Sequence, residues 1–494
     1  MSYAIAETRN GALQGYHNGR CYYFGGIPFA GSTASANRFN PPQPVEPWSG
    51  LRPAVHAGPI VNQNPTRFEP FLGPDPQPQS EEGLNLTVWT PGVDGAKRPV
   101  YVWIHGGAYI SGAGSFPLYD GASFAANGDI VCVGINYRLG ERGYLHLGHL
   151  DEAYAGSGNN GLRDQVAALE WVRDNIEAFG GDPDQVTVGG QSAGGGAITG
   201  LLMMPEAKGL FHRAIIQSIS MMSFRDLSEA EEATQTFMDA AGATHIADLE
   251  TAPMETLLAA QRTTLRSKPP WGKAQFQPLV DGTVLTKNVL PACRDGDMAK
   301  IPLMVGITSD EWKPFQFFMN DEDVPRRDDT LSAFFDTLVG DGAGVSAAYR
   351  EITGKTDPEA LFQAAMSDWR WRHANMQFQS ILSGKQDVYV YEFAWKSPTH
   401  DGRLGAGHCV ELPFCFHNMQ SPSTPFLIGD GAPVGLADTM HAAWCAFIRD
   451  GAPTPSGDWP VYDEDRRATM MFDVDSKIEN DPSRDRRLFW ESLE

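Results

Sequence analysis

No run in the sequence approaches the roughly 20 consecutive apolar residues that a bilayer-spanning helix needs, so no membrane partner is expected. The opening Met1-Ser-Tyr-Ala-Ile-Ala-Glu7 lacks a basic segment followed by an apolar one, and no secretory leader is expected either. Cysteine is scarce: Cys21, Cys132, Cys293, Cys409, Cys415 and Cys445 are scattered and form no Cys-x-x-Cys pair. That usage argues against a disulfide-stapled fold and predicts reduced, mostly buried thiols in a cytoplasmic protein. Positive charge is also short, with 38 Lys and Arg against 61 Asp and Glu and a formal charge of −23. Such a balance argues against nucleic acid or an anionic membrane as partner. The charges are spread along the chain, so they read first as a solubility device.

What remains is the composition of a soluble globular chain, 42% hydrophobic and 20% charged over 494 residues. Val100-Tyr-Val-Trp-Ile104 and Ile130-Val-Cys-Val-Gly-Ile135 are near-continuous apolar runs, as in strands covered on both faces. From Gly161 to Gly180 the apolar positions Leu162, Val166, Leu169, Val172, Ile176 and Phe179 fall three or four apart. That spacing predicts one amphipathic helix, closed by Gly180-Gly181 and Asp182-Pro183. Val186-Thr-Val188, Ile301–Ile307 and Val388–Phe393 read as further strands. Alternating strands and helices predict an α/β fold with a mostly parallel central sheet and helices on both faces. No repeat or linker divides the chain, so a single domain over 1–494 is expected, with helical insertions around 225–275 and 315–385 walling a pocket. Met319 to Pro325 reads as an exposed loop, and Asn62 to Gln79 as a long one.

The chemistry centres on Gly190-Gln-Ser192-Ala-Gly194, which follows the Val186–Val188 run. A strand that turns sharply into a helix lifts the apex serine clear of the sheet, and the residues two positions either side must be small. A serine hydroxyl then needs a base, an acid to orient that base, and donors for an oxyanion. Gly106-Gly107, at the end of the Val100–Ile104 run, is a turn that can aim backbone N–H groups into a site beside that of Ala193. Asp310 and Glu311 both sit where the Ile301–Ile307 run ends, the edge at which open α/β sheets gather catalytic groups. The base should follow the acid in the chain, which leaves His373, His400, His408, His417 and His441. His408 is favoured, with small residues before it and an apolar run after it.

These residues carry a resemblance. Phe24-Gly-Gly-Ile-Pro-Phe-Ala30, Arg38-Phe-Asn-Pro-Pro42 and Ser80–Trp89 match the N-terminal blocks of type-B carboxylesterases, the group of para-nitrobenzyl esterases and cholinesterases. Asn159–Gln165, Asn175–Pro183 and Phe211–Ser218 match the blocks around the elbow. The resemblance implies an α/β-hydrolase fold and a triad of Ser192, Glu311 and His408. It implies Gly107, Ala108 and Ala193 as oxyanion donors, with Gly106 shaping the turn and His105 structural. It places Glu411 and Ser218 close behind the triad histidine, and Arg38 and Glu81 in a structural ion pair. The chain departs from the family pattern at Gln191, where glutamate is usual, at Trp312, where glycine is usual, and at Gly83, where secreted relatives carry a disulfide cysteine. Phe68 and Phe71 stand in the long loop where cholinesterases stack choline on tryptophan, which argues against choline esters.

The implied activity is hydrolysis of short- to medium-chain carboxylic esters, aryl esters included, through an acyl-enzyme. Amides, thioesters and carbamates are alternatives for the same machinery. A non-catalytic binding protein is the remote rival, since every triad position is filled. No cofactor and no metal are expected, although His146-Leu-Gly-His149 has a ligand-like spacing. The expected partner is a small ester, and the expected state is a monomer or small homo-oligomer.

Overall fold

Runs rich in β-branched and aromatic residues pair into a 13-stranded sheet. The structure is a computed structural model and describes residues 2–72, 77–220, 224–268, 274–454 and 456–493. In chain order the main strands are β1 (Tyr3–Thr8), β2 (Gly11–His17), β3 (Tyr22–Pro28), β4 (Asn85–Thr90), β5 (Arg98–Ile104) and β6 (Val131–Ile135). They continue as β7 (Gly181–Gln191), β8 (Arg213–Gln217), β9 (Leu303–Thr308), β10 (Val388–Phe393), β11 (Ala468–Phe472) and β12 (Lys477–Asn480). Across the sheet the order is β1-β2-β3-β4-β6-β5-β7-β8-β9-β10-β11-β12, with Leu51–Pro53 beside β2. The pairs from β6 to β11 are parallel, and those flanking them along this order are antiparallel.

The parallel strands are apolar on both faces because both faces are covered. Along β5, Val100, Val102 and Ile104 join one core, packed with Leu162, Leu169 and Val172 of helix α1 (Asn160–Asn175). Tyr101 and Trp103 alternate into a second core, with Trp444 and Phe447 of helix Val434–Asp450. This period of two is what a pleated strand imposes. The amphipathic run ends as expected: a short 3-10 turn, Ile176–Phe179, leads to Gly180 at φ 76°. β7 is longer than the Val186–Val188 run and reaches back to Gly181 through a register shift.

Both expected insertion regions are helical. The first holds Leu227–Ala241, Ile246–Thr251 and Met254–Arg266, and its residues 269–273 lie outside the described set. The second runs through Lys313–Phe317, Asp328–Val339, Gly342–Thr353, Pro358–Ser367, the π-helical turn Asp368–Arg372, and His373–Leu382. A third core fastens this second region to the end of β9, joining Ile307 and Trp312 to Phe335, Phe362 and Trp371. The 62–79 segment contains a short helix, Glu69–Leu72, and its residues 73–76 lie outside the described set. Asp321–Asp323 forms an exposed turn within the expected 319–325 loop. Among the described residues, no helix is long and apolar enough to cross a membrane. All six cysteines are free, and all but the half-buried Cys409 are buried.

Candidate active site

Ser192 stands between the last residue of β7 and the first of helix α2 (Ala193–Leu201), at φ 58° and ψ −124°. A side chain at positive φ is strained, and here the strain comes from forcing a strand directly into a helix. Crowding explains the small neighbours. A Cβ on Gly194 would sit 2.0 Å from the Ile104 carbonyl oxygen, and one on Gly190 would sit 2.6 Å from the Gly194 backbone. The Ser192 N–H donates to the Gln217 carbonyl at 2.9 Å, tying the elbow to β8.

The fold separates the two acidic candidates. Glu311 is fully buried; its Oε1 accepts from the Thr308 N–H at 2.8 Å and its Oε2 lies 2.6 Å from Nδ1 of His408. Asp310 turns instead to the Ala406 N–H and the Lys313 ammonium, each at 3.1 Å. It staples the loop that carries His408 rather than touching the imidazole. His408 is buried, with the rings of Phe315 and Trp371 5.1 and 5.5 Å from its own. The remaining histidines have other neighbours: His400 the Phe426 carbonyl, His417 Asp438, His441 the Cys415 carbonyl, and His373 the Trp490 ring.

The glycine turn after β5 has the form a donor cradle requires. Gly107 has φ 110°, and a Cβ there would lie 2.0 Å from the Ser111 carbonyl oxygen. Ala108 follows at φ 53° and lines the same cavity as Ser192 and Ala193. Ala193 begins α2, so its N–H has no acceptor within the helix. Gly106 is set 2.8 Å, by its would-be Cβ, from the Gln191 carbonyl, and its own carbonyl meets His105 Nδ1 at 2.7 Å. Burial pushes His105 down to about 4, so its ring is neutral, and it stacks on Tyr137 at 4.4 Å. Its work is to hold the turn.

Such an elbow, acid–histidine pair and donor turn, carried on one parallel sheet, can be placed by comparison with known proteins. The carboxylesterase family model matches residues 2–490. The chain belongs to the carboxylesterase family. It is a carboxylic ester hydrolase of the α/β-hydrolase fold. The para-nitrobenzyl esterase of Bacillus subtilis is 36% identical, over 99% of this chain and 98% of its own. A probable N-octanoylanthranilate hydrolase of Rhodococcus erythropolis is 42% identical, over 94% and 96%. The solved carboxylesterase of Geobacillus stearothermophilus superposes with a TM-score of 0.86 at 37% identity, covering 98% of this chain and 99% of that one.

Within this carboxylesterase the fold positions the residues that depart from the family pattern. Gln191 turns its side-chain nitrogen to His408 Nε2 at 3.1 Å, while its oxygen accepts from the Cys409 thiol at 3.6 Å. Trp312 is buried and stacks on Phe315 at 5.7 Å, so it buttresses the ring that packs on His408. A Cβ at Gly83 would lie 2.7 Å from the Val61 nitrogen, which leaves no room for a cysteine there. Phe68 packs on Phe315 at 5.2 Å, closing the long loop onto the pocket wall.

Glu411 is fully buried; its Oε1 accepts from Gln217 at 3.3 Å and its Oε2 has no hydrogen-bond partner. Burial, and then the charge of Glu311, pushes its carboxyl up to about 8. The Ser218 hydroxyl is buried without a partner, and its carbonyl accepts from the Trp371 indole at 3.1 Å. Arg38 and Glu81 form the expected ion pair, at 2.7 and 3.1 Å. His146 stacks on His149 at 5.2 Å, and with Glu231 their ligand atoms lie within 4.8 Å of one another; none of the three lines the cavity.

The cavity at Ser192 measures about 650 Å³ with its open mouth. Its wall is mostly apolar, from Ile219, Phe224, Phe315 and Trp371, and it includes Arg370. Phe315, Arg370 and Trp371 could not be read as wall residues from sequence, because a charged helical stretch shows no preferred side until it is packed.

Proposed function

We propose that Ser192 is the nucleophile of a two-step ester hydrolysis, His408 its general base and Glu311 the acid that orients the base. The observation that carries this reading is the buried 2.6 Å contact between Glu311 Oε2 and His408 Nδ1, linked through the Gln191 side chain on Nε2 to the residue before a serine held at positive φ. A carboxylate on Nδ1 fixes the imidazole tautomer and leaves Nε2 as the basic nitrogen; Nε2 exchanges the Gln191 amide donor for the Ser192 hydroxyl to take its proton. As Ser192 Oγ bonds to the carbonyl carbon, the carbonyl oxygen gains the negative charge. The N–H groups of Gly107, Ala108 and Ala193 receive it, each worth about 3 kcal/mol in the transition state. The imidazolium then returns its proton to the leaving alcohol, and water repeats the cycle on the acyl-serine. Glu311 stabilises the imidazolium throughout. Each step is served by side chains and backbone alone, without a metal or organic cofactor.

The substrates of this reading are short- to medium-chain esters, aryl esters included. The walled, mostly apolar cavity supports the size limit, and the name of the para-nitrobenzyl esterase relative supports the aryl class. A second reading is cleavage of N-acyl compounds, favoured by the name of the 42% identical hydrolase. The whole chain acts as one domain in the cytoplasm, as a monomer or small oligomer.

The test is hydrolysis of p-nitrophenyl butyrate by the wild type and by Ser192→Ala. A folded variant should lose several orders of magnitude in kcat and no longer react with a fluorophosphonate. Equal turnover by both proteins would remove Ser192 from the mechanism. Comparable wild-type rates on matched amides and esters would favour the second reading.

A further inference from the structure

Arg370 is the one charged residue among the described residues lining the Ser192 cavity. Its position comes from the π-helical turn Asp368–Arg372, which inserts between two helices and separates two nearby arginines. Arg372 is committed to the protein interior, bonded to Asp368 at 2.7 Å and to Glu392 at 2.5 and 3.0 Å. Arg370 leaves by the other side, passes over the Trp371 ring at 5.6 Å and reaches the cavity wall. π-helical turns occur often at functional sites, where one extra residue in the turn rotates the neighbouring side chains to new directions.

The chemistry of the wall makes this placement informative. A pocket for neutral esters needs no charge on its wall. Burial pushes Arg370 down to about 10, yet it stays cationic at neutral pH. The chain as a whole has the opposite character, with a formal net charge of −23. Long-range attraction therefore does not bring anions in, and salt screens that field over about 8 Å. Inside the cavity the guanidinium acts at short range in a poorly solvated place. Its five N–H donors let it keep protein contacts and still offer an edge to a ligand. A planar carboxylate is the group that such an edge fits.

We infer that this carboxylesterase prefers esters that also carry a carboxylate, with Arg370 as the residue that binds it in the Ser192 cavity. The inference rests on the esterase reading and names its substrate class. The carboxylate can belong to the acyl part, as in a monoester of a dicarboxylic acid, or to the alcohol part, as in an ester of a hydroxybenzoic acid.

Two pairs of substrates test it, each a carboxylate and its carboxamide isostere. One pair is the p-nitrophenyl monoester of adipic acid and of adipic monoamide. The other is the butyrate of 3-hydroxybenzoic acid and of 3-hydroxybenzamide. The wild type should show at least tenfold higher kcat/KM on the carboxylate member of one pair. Arg370→Gln should reduce that ratio at least tenfold, and Arg370→Lys should restore part of it. The pair that responds identifies which side of the ester carries the charge. A wild type with no carboxylate preference in either pair, or a ratio unmoved by Arg370→Gln, overturns the inference. Turnover of p-nitrophenyl butyrate with no carboxylate preference defeats this inference and leaves the esterase reading standing. If no ester is turned over, the esterase reading fails by itself. Calorimetric titration of the wild type with hexanoate and hexanamide then reads the anion site alone. Hexanoate should bind at least tenfold more tightly, and equal binding overturns the inference. The same titration serves if Arg370→Gln does not fold.

Discussion

The side-chain nitrogen of Gln191 lies 3.1 Å from Nε2 of His408, on the ring nitrogen opposite the one held by Glu311. The bonds run in one direction: the Cys409 thiol donates to Gln191 Oε1, Gln191 donates to His408 Nε2, and His408 Nδ1 donates to Glu311. The amide donor makes Nε2 the accepting nitrogen of the ring, since an imidazolium has no lone pair there to accept it.

Gln191→Glu replaces that donor with a carboxylate that favours the imidazolium. The acid-side midpoint of the kcat/KM profile should then move to higher pH, by about one unit, equivalent to ~1.4 kcal/mol. Profiles of both proteins on p-nitrophenyl butyrate from pH 4 to 9 check this. Coincident midpoints would show that the amide does not bias the ring.

Glu311→Gln and Asp310→Asn should differ sharply although they are neighbours. The first removes the carboxylate on His408 Nδ1 and should lower kcat by roughly 10³–10⁴. The second weakens a loop staple to Ala406 and Lys313 and should cost about tenfold or less. Steady-state kinetics on one ester decides, and similar losses in both variants would contradict the assignment.

Gly194→Ala puts a methyl group 2.0 Å from the Ile104 carbonyl oxygen, against backbone that cannot yield. It should destabilise the protein by about 4 kcal/mol or more. Gly200→Ala, further along the same helix, meets the flexible end of the Leu162 side chain at 3.0 Å and the Phe224 ring at an ordinary 3.7 Å, and gains about 1 kcal/mol of helix propensity. Its melting temperature should lie within a few degrees of the wild type. Thermal denaturation of the two variants separates elbow crowding from a general intolerance of the helix.

Glu411 predicts a pH-dependent stability. Its carboxyl is raised from the ordinary 4.5 to about 8 by burial and by Glu311. Between those values the folded protein keeps a proton that the unfolded chain releases. The stabilisation is full below pH 4.5 and is lost as pH rises towards 8, at up to ~1.4 kcal/mol per pH unit. Glu411→Gln mimics the neutral form and escapes this loss. The variant's melting temperature should therefore gain on the wild type from pH 5 to 8 and level off above that. A difference independent of pH would mean that Glu411 is ionised when folded.

Local chemistry made much of this protein readable before folding. The strand runs around Val100, Val133 and Val390 are apolar in succession because each is covered on both faces, so their burial is written into their composition. The α1 stripe ends at Gly180 because that position needs a left-handed backbone. Glycines stand two positions either side of Ser192 because neighbouring backbone passes within contact distance. The N-terminal strands β1 to β3 are not legible in the sequence, since few of their residues are buried and glycines such as Gly15, Gly25 and Gly26 interrupt any alternation.

Other choices depend on residues far apart in the chain. Asp310 and Glu311 have similar chemistry and adjacent positions; the family resemblance names Glu311, and the approach of the His408 loop supplies the physical reason. Gln191 reads as a lost carboxylate until residue 408 is brought beside it. Arg370 and Arg372 lie two positions apart in a charged helix; one π-helical turn sends one to an interior ion pair and the other to the substrate cavity. Periodicity and steric limits act over a few residues, whereas a hydrogen bond between positions 217 apart exists only after the sheet has formed.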